Sequence, residues 1–118
     1  MFLNVWIYKY HITGGKYNID NQKRFYINKL YEIYGLLLTE KQQQIFEDYY
    51  QYDLSLQEIA TNYNVSRSAV LDALQKSVSK LEEYESKLHF LDKKHEIHEV
   101  LNNSKDIEEL KNKIKEIL

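Results

Sequence analysis

Apolar residues fall at helical steps along most of this chain. From Arg24 onward, Ile27, Leu30, Tyr31, Tyr34 and Leu37 or Leu38 recur at three- and four-residue intervals, the spacing that lines one face of a helix. Thr39 and Gln42 stand in capping-box register, so a second helix is expected to begin at Thr39 or Glu40 and to turn Ile45, Phe46, Tyr49 and Tyr50 inward. Asp53-Leu54 interrupts the pattern. Ser55 with Glu58 makes a second capping box ahead of Leu56, Ile59 and Ala60, which predicts a short third helix ending near Tyr63. Asn64 tolerates left-handed dihedrals and Ser66 suits an N-cap, so Asn62 to Val65 reads as a tight connection into a fourth helix.

That fourth helix is expected to be long. Val70, Leu74, Val78, Leu81, Leu88 and Leu91 step at three, four and seven, with Lys80, Glu82, Glu83, Glu85 and Lys87 around them. After Asn102-Asn103-Ser104, the residues Ile107, Leu110, Ile114 and Ile117 repeat at heptad-like steps, and Glu109 with Lys113 forms an i,i+4 pair. A fifth helix is expected to close the chain. The stripe Leu74, Val78, Leu81, Leu88 and Leu91 needs cover: either helix five folds back on helix four, or two chains pair as a homodimer. The pattern divides the chain into a helical domain over 21–91 and a C-terminal extension over 92–118.

Residues 1–20 read differently, being aromatic, nearly uncharged and without a helical period, and they contain Gly14-Gly15. Two readings stand. In one, Met1 to about Asn18 is an untranslated leader: the codons for Gly14-Gly15-Lys16 spell a purine-rich ribosome-binding sequence, and Ile19 is a rare start. In the other, the segment is a short strand or arm that packs Trp6 on the core. The nucleotide sequence or the intact mass of the native protein separates them.

Composition narrows the class. With 118 residues and 43% hydrophobic content the chain can bury one modest core. No Pro and only three Gly leave sheet turns little to form from, so the fold is expected to be all-α. The absence of Cys removes disulfides, thiolate metal sites and cysteine nucleophiles, and fits a reducing compartment. Phe2 to Tyr8 lacks a basic lead-in and a small-residue cleavage site, and no stretch reaches membrane-spanning length. A cytoplasmic protein without membrane insertion is expected. Fourteen Lys against two Arg, with eleven Ile and nine Asn against three Ala, is the bias of AT-rich coding sequence. Lysine content alone is therefore weak evidence of a nucleic-acid surface.

The most informative segment is Ser55 to Leu74. Two helices that cross steeply need a small residue at closest approach, which Ala60 supplies, while Ile59 and Val65 fill the crossing, Ser66 starts the second helix, and Val70 and Leu74 turn beneath it. This is the pattern of a helix-turn-helix. In such a unit the second helix enters the major groove, which makes Ser66, Arg67, Ser68, Asp72, Gln75 and Lys76 the candidate nucleic-acid-binding residues. Arg67 can fork onto guanine or a phosphate, Gln75 can pair with adenine, and Ser66 and Ser68 can reach phosphate oxygens. The charge balance is modest: residues 65–81 carry Arg67, Lys76 and Lys80 against Asp72, while residues 21–64 carry four basic and six acidic groups. Phosphate neutralisation supplies most of the affinity of a DNA reader, so this faint footprint says fold more strongly than it says DNA.

Four blocks in order, Leu37-Leu-Thr-Glu-Lys-Gln42, Asp53-Leu-Ser-Leu-Gln-Glu-Ile-Ala60, Val65-Ser-Arg-Ser-Ala-Val70 and Leu81-Glu-Glu-Tyr-Glu-Ser-Lys-Leu88, carry a resemblance to the YlxM family of small helix-turn-helix proteins. The similarity covers about half of the chain, Leu30 to Leu91, and extends more distantly to region four of sigma factors. It implies an all-helical bacterial protein encoded beside genes of the signal recognition particle, with a regulatory or accessory role in that targeting pathway and no catalytic residues or cofactor. The family's recognition helix opens Ser-Arg-Gln-Ala-Val-Tyr-Asp. Here Ser68 stands for the Gln and Leu71 for the Tyr, which removes one base-reading amide and turns an apolar group outward.

The remaining signals are weaker. His95 and His98 share a helix face at i,i+3, but the zinc-protease signature needs i,i+4 around its glutamate, so a solvated face is expected and no metal. Of the tyrosines at 26, 31, 34, 49, 50, 52, 63 and 84, six are expected in the core, with Tyr52 and Tyr84 exposed. Glu82-Glu83 has no partnered base or nucleophile nearby in sequence, and the chain is not expected to be an enzyme. Three functions remain: an accessory protein contacting the signal recognition particle's protein or RNA, a regulator binding duplex DNA through the fourth helix, and a protein-binding scaffold.

Overall fold

A computed structural model describes residues 19–118. The readings of residues 1–18 as leader or arm fall outside the described residues. Among those described the chain forms α1 (Ile19–Tyr34), a 3-10 turn (Gly35–Leu37), α2 (Glu40–Tyr50), α3 (Leu56–Tyr63), α4 (Arg67–Leu88), α5 (Phe90–Asn103) and α6 (Ile107–Ile117). The fold is all-α, and no helix of the described residues is long and apolar enough to cross a membrane.

The caps explain where the helices begin. Thr39 Oγ1 accepts from the Gln42 amide at 3.1 Å while Gln42 Oε1 accepts from the Thr39 amide at 3.0 Å, the reciprocal box expected from sequence. Ser55 forms only the first half of its expected box, accepting from the Glu58 amide at 3.1 Å, and the exposed Glu58 carboxylate stays in water. At Gly35 a Cβ would meet the Tyr31 ring at 2.9 Å, so the residue after α1 must be bare for that ring to lie flat on Phe46.

Among the described residues two clusters make the core, and α2 joins them. Tyr26, Ile27, Leu30 and Tyr34 of α1 pack with Leu38, Phe46, Leu81 and Leu91. Ile45 packs instead with Ile59, Ala60, Val70 and Leu74. Neighbours in sequence, Ile45 and Phe46 thus face different clusters, and α4 runs from one to the other. Ser77, buried between Leu74 and Leu81, donates to the Ala73 carbonyl at 2.8 Å, so its hydroxyl is satisfied within the helix.

The fourth helix is shorter than its apolar stripe suggests. His89 adopts a left-handed conformation (φ 57°), α4 stops at Leu88 and a separate α5 starts at Phe90. The left-handed region costs about 1–2 kcal/mol for a residue with a Cβ, and here a buried polar cluster offsets it. Glu85 Oε1 accepts from the Tyr34 hydroxyl at 2.6 Å and the Leu91 amide at 3.0 Å, Glu85 Oε2 accepts from the Asp92 amide at 3.3 Å, and Tyr34 Oη accepts from the Phe90 amide at 3.1 Å. A carboxylate from the preceding helix therefore caps α5, in place of the side chain at its own N-cap. Leu74, Leu81 and Leu91 of the stripe are buried within the chain, Val78 is half-buried and Leu88 is 40% exposed. The last helix packs on α5 instead.

Tyrosine placement differs from expectation at one position. Tyr52 is 69% exposed, but Tyr84 is half-buried with its ring centroid 5.9 Å from that of Tyr34. Burial, joined by the bond to Glu47, pushes the Tyr31 phenol up to about 12, and burial also raises those of Tyr26, Tyr34, Tyr50 and Tyr63. Raised folded-state values stabilise the fold fully below the unfolded tyrosine value of about 10, and that contribution is lost as pH rises through the folded values. The thermal midpoint is accordingly expected to hold to about pH 10 and to fall steeply from there to about pH 12. A midpoint unchanged across that window in a calorimetric series contradicts this.

Candidate nucleic-acid interface

The α3–α4 unit is built around a short turn. Asn64 takes left-handed dihedrals (φ 54°, ψ 48°) and its amide donates to the Ala60 and Thr61 carbonyls, while the Val65 amide donates to Ala60 at 3.0 Å. These bonds satisfy the carbonyls at the end of α3 and turn the chain at once into α4. Ile59, Ala60, Val70 and Leu74 are all buried at the crossing, against Ile45. The small residue therefore sits where two helices need close approach.

Other contacts fix this unit to the rest of the fold. Tyr63 donates to Asp48 Oδ2 at 2.9 Å, tying the end of α3 to α2. Arg24 of α1 donates to the Tyr49 carbonyl and to Asp53 Oδ1, the latter at 2.9 Å, and its guanidinium lies over the Tyr49 and Tyr50 rings. One of the two arginines is thus committed to holding the α2–α3 turn, whose Asp53 is left-handed (φ 56°). Sequence reading gave Arg24 no role, because its partners lie 25 and 29 residues away.

Every candidate nucleic-acid-binding residue is exposed: Ser66, Arg67, Ser68, Asp72, Gln75 and Lys76. Ser66 Oγ accepts from the Ala69 amide at 3.0 Å, which caps α4 and leaves the hydroxyl proton to donate. Ser68, Asp72, Gln75 and Ser79 follow one another at helical steps along a single face. Lys76 is paired with Asp72 at 2.9 Å, which reduces the positive field that the lysine offers. Leu71 is exposed beside them, as its place on the outer face requires.

Gln42, Asp72, Gln75, Lys76, Ser79 and Lys80 line a shallow open groove of about 410 Å³ between the start of α2 and the outer face of α4. Three of these lay outside the sequence-derived set. Ser79 and Lys80 were legible as the next turn after Gln75 and Lys76, whereas Gln42 comes from a helix that only the tertiary fold brings close.

Of the two histidines at i,i+3, His95 has a carboxylate neighbour. His95 Nε2 lies 3.0 Å from Glu99 Oε1, and His98 is exposed. Glu85, His89 and Asp92 bring ligand-type atoms within 4.8 Å of one another. Both Glu85 oxygens already accept hydrogen bonds as the cap of α5, and His89 Nδ1 lies 3.7 Å from Asp92 Oδ2.

Comparison with known proteins accords with this geometry. The family described as "Putative helix-turn-helix protein, YlxM / p13 like" matches residues 21–118. A UPF0122 protein of Lacticaseibacillus casei is 52% identical over 71 residues, 60% of this chain and 63% of that protein. One from Malacoplasma penetrans is 54% identical over 65 residues, 55% of this chain and 61% of that protein. One from Fusobacterium nucleatum is 46% identical over 80 residues, 68% of this chain and 78% of that protein. The matched part of the chain spans less than two thirds of the Lacticaseibacillus and Malacoplasma relatives, at 63% and 61%. With α3 and α4 arranged as a helix-turn-helix and the family matched over 21–118, the chain belongs to the YlxM/p13-like family.

Proposed function

We propose that this protein binds duplex DNA through the first three turns of α4, as a regulatory protein. The observation that carries this is the exposure of Ser66, Arg67, Ser68, Asp72 and Gln75 together at the start of a helix whose opposite face is locked into the fold through Val70 and Leu74. A recognition helix needs that combination of a rigid inner face and a polar outer one. In this reading Arg67 contacts guanine or phosphate, Gln75 contacts a base edge, and Lys76 and Lys80 contact the backbone along the groove.

Arg67→Ala is expected to weaken binding to duplex DNA from the protein's own operon by about tenfold or more, the loss of one bidentate contact. Its thermal midpoint stays unchanged, since the side chain is exposed. Equal affinity in a gel-shift titration removes the recognition-helix mechanism.

One observation favours a second reading. The exposed charges of Glu58, Arg67, Asp72, Lys76 and Lys80 nearly cancel, a balance better suited to a protein surface than to a polyphosphate. The resemblance-implied partner is then the signal recognition particle, met through its protein or RNA in an accessory role. A pull-down of the particle that survives nuclease treatment, with no shift of duplex DNA, supports that reading over the first.

A further inference from the structure

We infer that α6 is a self-association surface, on which a second copy of this chain docks antiparallel about a two-fold axis near the middle of the helix. The inference is independent of what α4 binds.

No residue of α6 is fully buried: of the heptad-spaced Ile107, Leu110, Ile114 and Ile117, the first is exposed and the other three are half-buried. Its helical neighbour is α5, where Ile97 and Val100 are half-buried and Leu101 is 54% exposed. Ile107 is 68% exposed. A two-helix hairpin wraps each apolar stripe from one side only, and a second hairpin completes a four-helix arrangement.

The charges specify the occupant. The N-terminal part of the helix and its cap carry Asp106, Glu108 and Glu109 against Lys105, while the following turns carry Lys111, Lys113 and Lys115 against Glu116, which leaves one end net acidic and the other net basic. Two copies laid antiparallel place the acidic end of each against the lysine end of the other, and oppose the two helix dipoles. Laid parallel, like charges meet. The pair Glu108–Lys111 at 3.9 Å is exposed and Glu109–Lys113 at 2.9 Å is half-exposed, and both are able to exchange partners. A contact that satisfies both copies with the same patch is the isologous interface of a two-fold dimer.

Sedimentation equilibrium of the full chain at high micromolar concentration tests this. A mass twice 14.3 kDa is expected. Ile107→Lys, at an exposed position, is expected to weaken the dimer about tenfold or more without loss of helicity. The triple change Lys111→Glu, Lys113→Glu, Lys115→Glu is expected to give a monomer that pairs again when mixed with Glu108→Lys, Glu109→Lys chains. A monomeric unaltered chain overturns the inference, as does a dimer indifferent to Ile107→Lys.

Discussion

Phe46→Ala is expected to destabilise the protein by about 4 kcal/mol. Phe46 has no exposed surface, and its ring is stacked between Tyr31 at 4.2 Å and Tyr50 at 4.6 Å. Truncation removes the transfer energy of the ring, leaves a cavity between α1 and α4, and forfeits two aromatic contacts at once. Because α2 also presents Ile45 to the helix-turn-helix cluster, the loss propagates to the unit that carries the candidate interface. For a domain of this size the thermal midpoint falls by about 20 °C. A fall of only a few degrees means that Tyr31 and Tyr50 close over the gap, and that α2 is not the joint between the two clusters.

Glu85→Ala is expected to cost about 3 kcal/mol, with its damage confined to the C-terminal half at first. The carboxylate is 5% exposed and accepts from Tyr34, Leu91 and Asp92. Removing it leaves those donors buried without an acceptor, which is costlier than the bonds were favourable. It also removes the cap that offsets the left-handed His89. Amide exchange should therefore accelerate at Leu91 and Asp92 before it does so in α3, and α5 with α6 should detach below the main transition. Glu85→Gln, which keeps one good acceptor oxygen, should lose roughly half as much. Uniform loss of protection across all helices would mean that Glu85 serves the general core and not a local cap.

Local signals were legible in the sequence and remote ones were not. Thr39, Ser55 and Ser66 announced the starts of α2, α3 and α4, and Asn64 announced the left-handed turn, because each acts on residues within one helical turn of itself. The break at His89 was hidden. No Gly, Pro or Asn marks it, and the spacing of Leu81, Leu88 and Leu91 continues straight through. What ends the helix is a hydrogen bond from Tyr34, 51 residues from Glu85 in sequence, and that partner cannot be read from periodicity. The candidate interface divides the same way. The exposed row Ser68, Asp72 and Gln75 follows from helical period alone, and the Asp72–Lys76 pair was available as an i,i+4 spacing. Gln42 and Arg24 required the packing of α1 and α2.

The central claim is that α4 presents a nucleic-acid-reading face, and the salt dependence of binding to operon duplex DNA tests it most directly. Among the described residues the free cations of that face are few: Arg67 and Lys80, with Lys76 shared with Asp72. Two to three phosphate contacts predict that log affinity falls against log salt with a slope of about −2 to −3. Arg67→Ala should bring that slope about one unit nearer zero. Binding that is absent at low salt, or whose affinity and salt dependence Arg67→Ala both leave unchanged, would contradict the claim.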